Sequence, residues 1–452
     1  METDRKIKKQ GRLPFPVPFF FGWVVVGLSF LATLNSAGIR SALPVFINPL
    51  EAEFGWSRLS ISWAGGISLL LFGVGAPLTG WLLDRFGPRR VMLVGLTLLG
   101  AGVAATTLMQ ELWHLILLWG LVIGIGAAGM SSVLAASIAH RWFVARRGLA
   151  LGILSGASST GQLIFIPLLM MVVVASGWRA AALSMVAVSI GMIALIGFGM
   201  RNAPSDVGLE PYGSETESPP GAGQRVPLHT SVLGPESLKK DQAKPTPIGI
   251  REAVKNSTFW LLCGSYFVCG GTSSGLIGLH LIPHAIERGI PQVTAAWTVG
   301  VMGAMNLVGT LFSGWLTDRM DSRKLLAAVY VLRGLSLFIL PYVTNFTGLF
   351  IFAIIYGLDW FATVPPSIYL TGETFGKQSI GRIYGWIFLA HQLGAFVSAI
   401  GAGTIFDWVG RYEPAFLIGG VMGLAAAVMA LSIRPPRQIP PMYSEPTGVA
   451  PA

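Results

Sequence analysis

The stretch "GWLLDRFGPRR", Gly80 to Arg90, sets a charged turn between two long apolar runs, and it recurs as "GWLTDRMDSRK", Gly314 to Lys324. Gly80, Asp84, Arg85 and Arg89 map onto Gly314, Asp318, Arg319 and Arg323 at one constant offset of 234 residues. Gly148, Gly152 and Gly161 return at offset 233 as Gly381, Gly385 and Gly394, and Trp23, Gly27 and Gly38 at offset 237 as Trp260, Gly264 and Gly275. Three sets repeated in the same order at half the chain length indicate a duplicated structure. The chain reads as two homologous halves.

Composition says where those halves sit. Of the 452 residues 53% are hydrophobic and only 12% charged, whereas soluble domains carry about 25% charged residues. The fold class expected is an all-α polytopic membrane protein with two six-helix bundles. Crossing a bilayer takes about 20 mostly apolar residues per helix. Twelve runs qualify, at 20–46, 58–83, 91–109, 112–139, 149–175, 178–200, 258–285, 293–317, 325–343, 346–371, 382–406 and 414–433. The division expected is a basic N-terminal segment (1–19) leading into a retained signal anchor, a first bundle (20–200), a linker (201–256), a second bundle (257–433) and a Pro-rich tail (434–452). The linker, rich in Pro, Gly, Ser and charge and lacking an apolar period, reads as flexible. Cys263 and Cys269 lie six apart in one apolar run, on different helix faces, which argues against a disulfide or a metal pair.

The net charge of +10 is a matter of topology, not of a nucleic-acid partner. With both termini on one side of the membrane, 25 of the 31 Lys and Arg residues fall on that side. Only Arg58, Arg179, Arg288 and Arg411 fall on the other, and Arg40 and Arg333 lie within spans. The positive-inside rule then places both termini and the linker in the cytoplasm. Glycines crowd spans 2 and 4, among them Gly65, Gly66, Gly73, Gly120, Gly124 and Gly126. Membrane helices associate through such small residues, either in static packing or along faces that let bundles rock.

Twelve spans, two halves, a central linker and the loop pattern G-x-x-x-D-R-x-G-x-R-R between spans 2 and 3 together resemble the major facilitator superfamily. The resemblance implies a transporter, not an enzyme. It also implies that Asp84, with Arg85 and Arg89, closes the cytoplasmic side against the start of span 11 near Gly381, since a carboxylate is favoured at a helix N-terminus. Asp318 and Arg319 form the second copy of this gating loop. That copy has Asp321 and Ser322 in place of Gly87 and Pro88, so the Asp84 loop is expected to be the stronger latch. Within the superfamily, "RWFVARRGLALG", Arg141 to Gly152, resembles the monocarboxylate-porter signature entering span 5, with Trp142 where Tyr stands and Ala145 where Lys stands. "GLHLIPHAIERG" closing span 7 resembles bacterial members. One feature of the animal porters, an Asp and an Arg four apart in span 8, is replaced here by Asn306 and Thr310. Drug exporters fit less well: their span 4 Arg is Gly120 here, and their span 5 Pro is Ala157.

A charge in the bilayer core costs at least about 2.5–3.5 kcal/mol, so each buried ionisable residue is a functional candidate. Arg40 in span 1 is the candidate anion contact, because a guanidinium binds a carboxylate bidentately and stays charged; the alternative is an arginine snorkelling to the outer headgroups. Arg333 in span 9, Asp359 in span 10 and His391 in span 11 lie at one level, roughly 10–13 Å from the cytoplasmic side at about 1.5 Å per residue. Two readings stand. Arg333 neutralises Asp359, which makes His391 the better proton carrier; or Asp359 and His391 both line the cavity and one titrates as substrate binds. Asn306 is a further candidate substrate contact. His280 and His284, four apart on span 7, read as an outer-gate pair rather than a metal site. Pro365 and Pro366 interrupt span 10, and Trp360, Phe361, Tyr369, Tyr384 and Trp386 are candidate apolar wall residues.

The function expected is secondary transport of a small organic anion, a monocarboxylate first, by alternating access and with protons, in a bacterial inner membrane and as a monomer. The rival is a proton-driven exporter of aromatic or drug-like compounds. No nucleotide-binding loop G-x-x-x-x-G-K-S/T occurs, and no cofactor is expected.

Overall fold

The computed structural model describes residues 19–214, 249–376 and 379–434, and the described residues form helices with no strand among them. The first span is α1 (Gly22–Arg40) continued by α2 (Leu43–Phe54). Spans 2 and 3 share the helical run α3 (Arg58–Thr106), which is broken at Gly87. Span 4 is α4 (Leu112–Trp142), and spans 5 and 6 share α5 (Arg147–Gly199), broken at Gly177. Span 7 is α6 (Ser257–Gly270), a wide-turn stretch Gly271–Ile277, and α7 (Gly278–Glu287). There follow α8 (Gln292–Thr317), α9 (Ser322–Ile339), α10 (Phe346–Asp359) with its continuation α11 (Val364–Phe375), α12 (Ile380–Val409) and α13 (Glu413–Leu431). Counted as crossings, these are twelve, six to each half.

Local chemistry ends and turns the helices. Gly87 has φ 79° and ψ 161°, which an L side chain resists, and a Cβ there would strike Asn202. The second copy of the loop solves the same problem differently. Asp321 caps α9 by accepting the Arg323 N–H at 3.0 Å and pairs with the Arg323 guanidinium at 2.6 Å. Those hydrogen bonds hold its carboxyl below the usual carboxylate range. Elsewhere Ser57 and Asn345 accept from the amides of Ser60 and Gly348 at 3.2 and 2.8 Å, satisfying donors that a helix N-terminus leaves open.

The buried apolar residues show how the bundles lean on one another. Near the face bearing the Gly80–Arg90 loop (the loop face) they form two separate clusters. One holds Phe21, Leu83, Trp142 and Leu154 of the first half; the other holds Phe259, Leu326, Phe375 and Ile387 of the second. Toward the far face a single cluster runs through both halves, from Ile39, Phe46 and Trp119 to Leu279, Met302 and Phe416. The bundles are therefore packed together at the far face and parted at the loop face. Small residues permit the close contacts: a Cβ on Gly403 would meet Arg58 and Leu59, and one on Gly303 would meet Ser159. Beside the gap, Gly148, Gly152, Gly381 and Gly385 have nothing near them.

The stretch read as a flexible linker is partly packed. Tyr212 donates its N–H to Trp142 at 2.9 Å, accepts from Val144 and Ala145, and rests among Phe20, Trp23 and Phe143. An aromatic in an otherwise aperiodic segment binds it to the bundle. Most of residues 1–19, the rest of the linker and the tail beyond Arg434 lie outside the described residues.

Candidate functional site

Below the far-face closure a small cavity of ≈ 50 Å³ lies between the two bundles. Arg40, Ser41, Ser68, Trp119 and Gln162 line it from the first half, and Ser274, Gly278, Leu279 and Trp360 from the second. Arg40 reaches this place because α1 stops there. Its chain breaks at Ser41 before Pro44 starts α2, which turns the last residue of α1 inward. The guanidinium lies over the Phe72 ring at 4.5 Å, and among the described residues no carboxylate pairs with it. Ser68 Oγ and Trp360 Nε1 are buried with no hydrogen-bond partner, and Gln162 only approaches Ser41 Oγ at 3.4 Å. Arg40 thus stands at the cavity as a cation without a carboxylate partner among the described residues, beside buried polar groups and apolar walls.

Asp359 is not part of that wall. Arg333 Nε contacts Asp359 Oδ2 at 2.6 Å, and both side chains have no exposure. Arg333 Nη2 also donates to the carbonyls of Asp359 and Trp360, each at 2.9 Å, and Nη1 reaches the Cys269 carbonyl at 3.4 Å. Arg333 and Asp359 are thus paired, and Asp359 is not among the residues that line the cavity. The physical reason is the broken helix, whose free carbonyls draw the guanidinium, and the guanidinium draws the acid. Asn306 likewise lies outside the cavity lining. It is buried, donates to Ser159 Oγ at 2.8 Å, and its Oδ1 accepts from Phe361 N and Thr310 Oγ1, each at 3.2 Å. These bonds tie α8 to α5 and to the break after α10, with one Nδ2–H donating and Oδ1 accepting twice.

His391 is buried in α12, stacked on Phe388, near the Tyr266 ring and beside the Cys269 thiol. Its Nδ1 has no partner. Phe388 meets Phe72 across the bundle interface, and Gln392 fills the space above Gly73. His391 therefore sits one layer behind that interface. Gly270 makes the approach possible, since a Cβ there would strike the His391 carbonyl.

At the far face His280 bridges Tyr412 Oη (3.1 Å) and the Ala399 carbonyl (3.0 Å), and His284 sits edge-on to Phe416. Tyr412 also accepts from Arg58 Nη1 at 3.0 Å. Arg58, from the first half, enters a pocket of the second: it forms an ion pair with Glu287 and lies 3.8 Å above the Phe406 ring, while Glu51 holds its Nε at 3.2 Å. Leu59 N donates to Asp407 at 3.2 Å beside it. Sequence reading passed over Arg58 as one of four sparse outer charges. Its signal was that sparseness, and the pocket that takes it is assembled from residues far along the chain.

At the loop face Asp84 is exposed, and among the described residues it pairs with Arg141 of the same bundle, at 3.7 Å. A Cβ on Gly381, at the start of α12, would meet nothing within 4 Å, and no contact between Asp84 and that helix start is seen among the described residues. Arg89 braces Gly197 and Asn202 of its own bundle, Arg85 lies over Trp81, and Arg319 over Trp315; Asp318 is exposed.

Residues 28–399 match the family model of the Major Facilitator Superfamily, and the chain belongs to that family. It is a membrane transporter. Among curated proteins it is 27% identical over 425 residues to monocarboxylate transporter 13 of Rattus norvegicus, covering 91% of this chain and 89% of that one. It is 23% identical over 439 residues to monocarboxylate transporter 12-B of Danio rerio, covering 94% and 89%. An uncharacterized MFS-type transporter of Bacillus subtilis, YcxA, is 25% identical over 399 residues, covering 86% and 90%.

Proposed function

We propose that the protein is a secondary transporter that moves a small organic anion, in the first place a monocarboxylate, across a bacterial inner membrane by alternating access. The observation that carries this reading is the unpaired Arg40 guanidinium in the cavity between the bundles. The names of the relatives support the choice of carboxylate. The bias of positive charge supports a cytoplasmic loop face with both termini cytoplasmic, so the state described is open inward and shut outward by the Arg58 pocket and the neighbouring histidines. In the outward-open state the bundles close at the loop face, and Asp84 then meets the start of α12.

Proton coupling is assigned to His391. Asp359 is paired with Arg333, whereas His391 Nδ1 is buried with no hydrogen-bond partner. The unit of function is the single chain, with a first bundle to residue 200 and a second from 257. Uptake of radiolabelled lactate, pyruvate and acetate into proteoliposomes under an imposed inward proton gradient tests the reading. Gradient-driven accumulation is expected, and failure to accumulate any carboxylate would overturn it.

A further inference from the structure

Spans 2 and 11 meet along an antiparallel seam that joins the two bundles. At the far face Leu59 N donates to Asp407, and a Cβ on Gly403 would strike Ser62. Further along, Phe396 and Ile400 pack on Gly66, and the Gln392 side chain fills a notch over Gly73. The register holds throughout: steps of three or four residues along α3 are matched by steps of three or four back along α12. Spans 5 and 8 form a second seam. Cβ atoms on Gly300 and Gly303 would meet backbone of Leu163 and Ser159, Asn306 donates to Ser159, and a Cβ on Gly156 would lie 3.7 Å from Leu307.

Both seams stop at equivalent places in the repeat. Gln392 is the counterpart of Ser159 at offset 233, and Leu307 that of Gly73 at offset 234. Beyond these contacts the same faces are bare. Seven residues on from Gly73 and seven back from Gln392 stand Gly80 and Gly385, and four more lead to Asp84 and Gly381. A Cβ on Gly385 or Gly381 would meet nothing within 4 Å, and one on Gly80 would meet only Val133 of its own bundle. In the second seam, four-residue steps from Gly156 and Leu307 lead to Gly152 with Leu311, then to Gly148 with Trp315. There too the glycines have nothing near them, and Leu311 and Trp315 are exposed.

Facing helices change their contacts by sliding or by tilting. A slide would drag Gln392 out of its notch and break the Asn306–Ser159 bond. A tilt about these points keeps both, and the glycines beyond let the backbones come together. Gln392 suits such a bearing: it is buried, its Oε1 has no hydrogen-bond partner, and the notch holds it by shape. We propose that the two seams keep one register and rock on their last contacts, Gln392 over Gly73 and Asn306–Ser159 beside Leu307–Gly156. Closing the loop face then lays Gly80 on Gly385 and brings Asp84 over Gly381, while the Ser62–Gly403 end of the first seam parts. Gln392 and Asn306 are positioning residues of the bundles. This rests on the alternating-access reading given above and names its pivots.

The test is cross-linking of paired cysteines in the full chain, with a protease site placed in the linker so that the halves separate on a gel unless joined. Gly80→Cys is combined in turn with Gly385→Cys, Gly381→Cys and Leu389→Cys, the last two lying about 6 Å to either side along α12. Each pair is treated with a short bis-methanethiosulfonate in the Arg58 and Arg58→Ala proteins. The chain with only its buried native thiols, Cys263 and Cys269, is the blank. In Arg58→Ala, where the loop-closed population rises, Gly80 should link to Gly385 about tenfold faster than to either neighbour. A Gly156→Cys/Leu307→Cys pair, at the pivot, should link at the same rate in both proteins. Linking that peaks at Gly381 or Leu389 shows a slide and overturns the inference, as does a pivot pair whose rate changes with Arg58. No link from Gly80 to any of the three, in either protein, overturns the alternating-access reading itself, a result distinct from linking in the wrong register. The links need no substrate, so the choice of anion does not enter.

Discussion

Replacing Arg58 by Ala should convert a transporter that rests closed at the far face into one that opens there. Arg58 is the chief polar bond between the bundles on that side: an ion pair to Glu287, a 3.0 Å hydrogen bond to Tyr412 and a stacking contact 3.8 Å above Phe406. Glu287 is 29% exposed on its side chain, so the ion pair is discounted toward the surface figure of about 1 kcal/mol. A hydrogen bond to a charged group adds about 1.5 kcal/mol and the cation–π contact about 0.5–1 kcal/mol. The sum is roughly 3 kcal/mol, or about a 100-fold change in the ratio of the two states at 1.4 kcal/mol per factor of ten. Glu51 stays within the first half in either state and is left out of the sum. The assay is thiol labelling of a cysteine at Ser62, which is buried beside Gly403 at the closure, by an impermeant maleimide added from the far side. Labelling should be slow with Arg58 present and at least tenfold faster in Arg58→Ala, and a cysteine at Gly381 should respond in the opposite sense. Unchanged labelling at both positions would refute the claim that Arg58 holds the far face shut.

Arg40→Ala should reduce carboxylate uptake at least tenfold with normal insertion, while Arg40→Lys, keeping charge without the bidentate fork, should raise KM and preserve part of the rate; scintillation counting of proteoliposome uptake decides, and wild-type kinetics in both variants would remove Arg40 from the site. His391→Gln should abolish stimulation by a proton gradient yet leave carboxylate counterflow, which a paired assay with and without gradient reads directly; a gradient response equal to wild type would place coupling elsewhere. Gly270→Ala should destabilise the protein by about 1–3 kcal/mol because its Cβ meets backbone of α12 rather than a movable side chain. Gly381→Ala, facing open space, should be neutral, and thermal unfolding in detergent compares the two.

Much of the architecture was legible because the quantities that decide it are local. Whether a run spans a bilayer depends on its length and apolarity, and the duplicated loop with its glycine turn declares the two halves without any knowledge of packing. The interruption of span 10 was legible too, since proline lacks its N–H wherever it lies. Arg40 could be chosen because an arginine in a span is rare on cost alone.

Partner choice was not legible, because it depends on which faces of distant helices meet. Asn306 and Asp359 looked equally available for substrate, yet the first is tied to Ser159, Thr310 and the Phe361 amide and the second to Arg333. Trp360 reads as a plain aromatic, and only the packing shows its indole N–H buried without a partner. Arg58 and Tyr412 are 354 residues apart, and nothing in either neighbourhood announces the other. The state of the transporter belongs to the same category. The Asp84 loop and the start of α12 are present in the sequence in either state, and only the packing of the far face against the parted loop face decides that they stand apart here. The sequence by itself determined the spans, the repeat and the break in span 10, for these follow from hydrophobic length and backbone chemistry. The tertiary structure decided which charges are spent on architecture, because a buried charge is defined by whether another group reaches it.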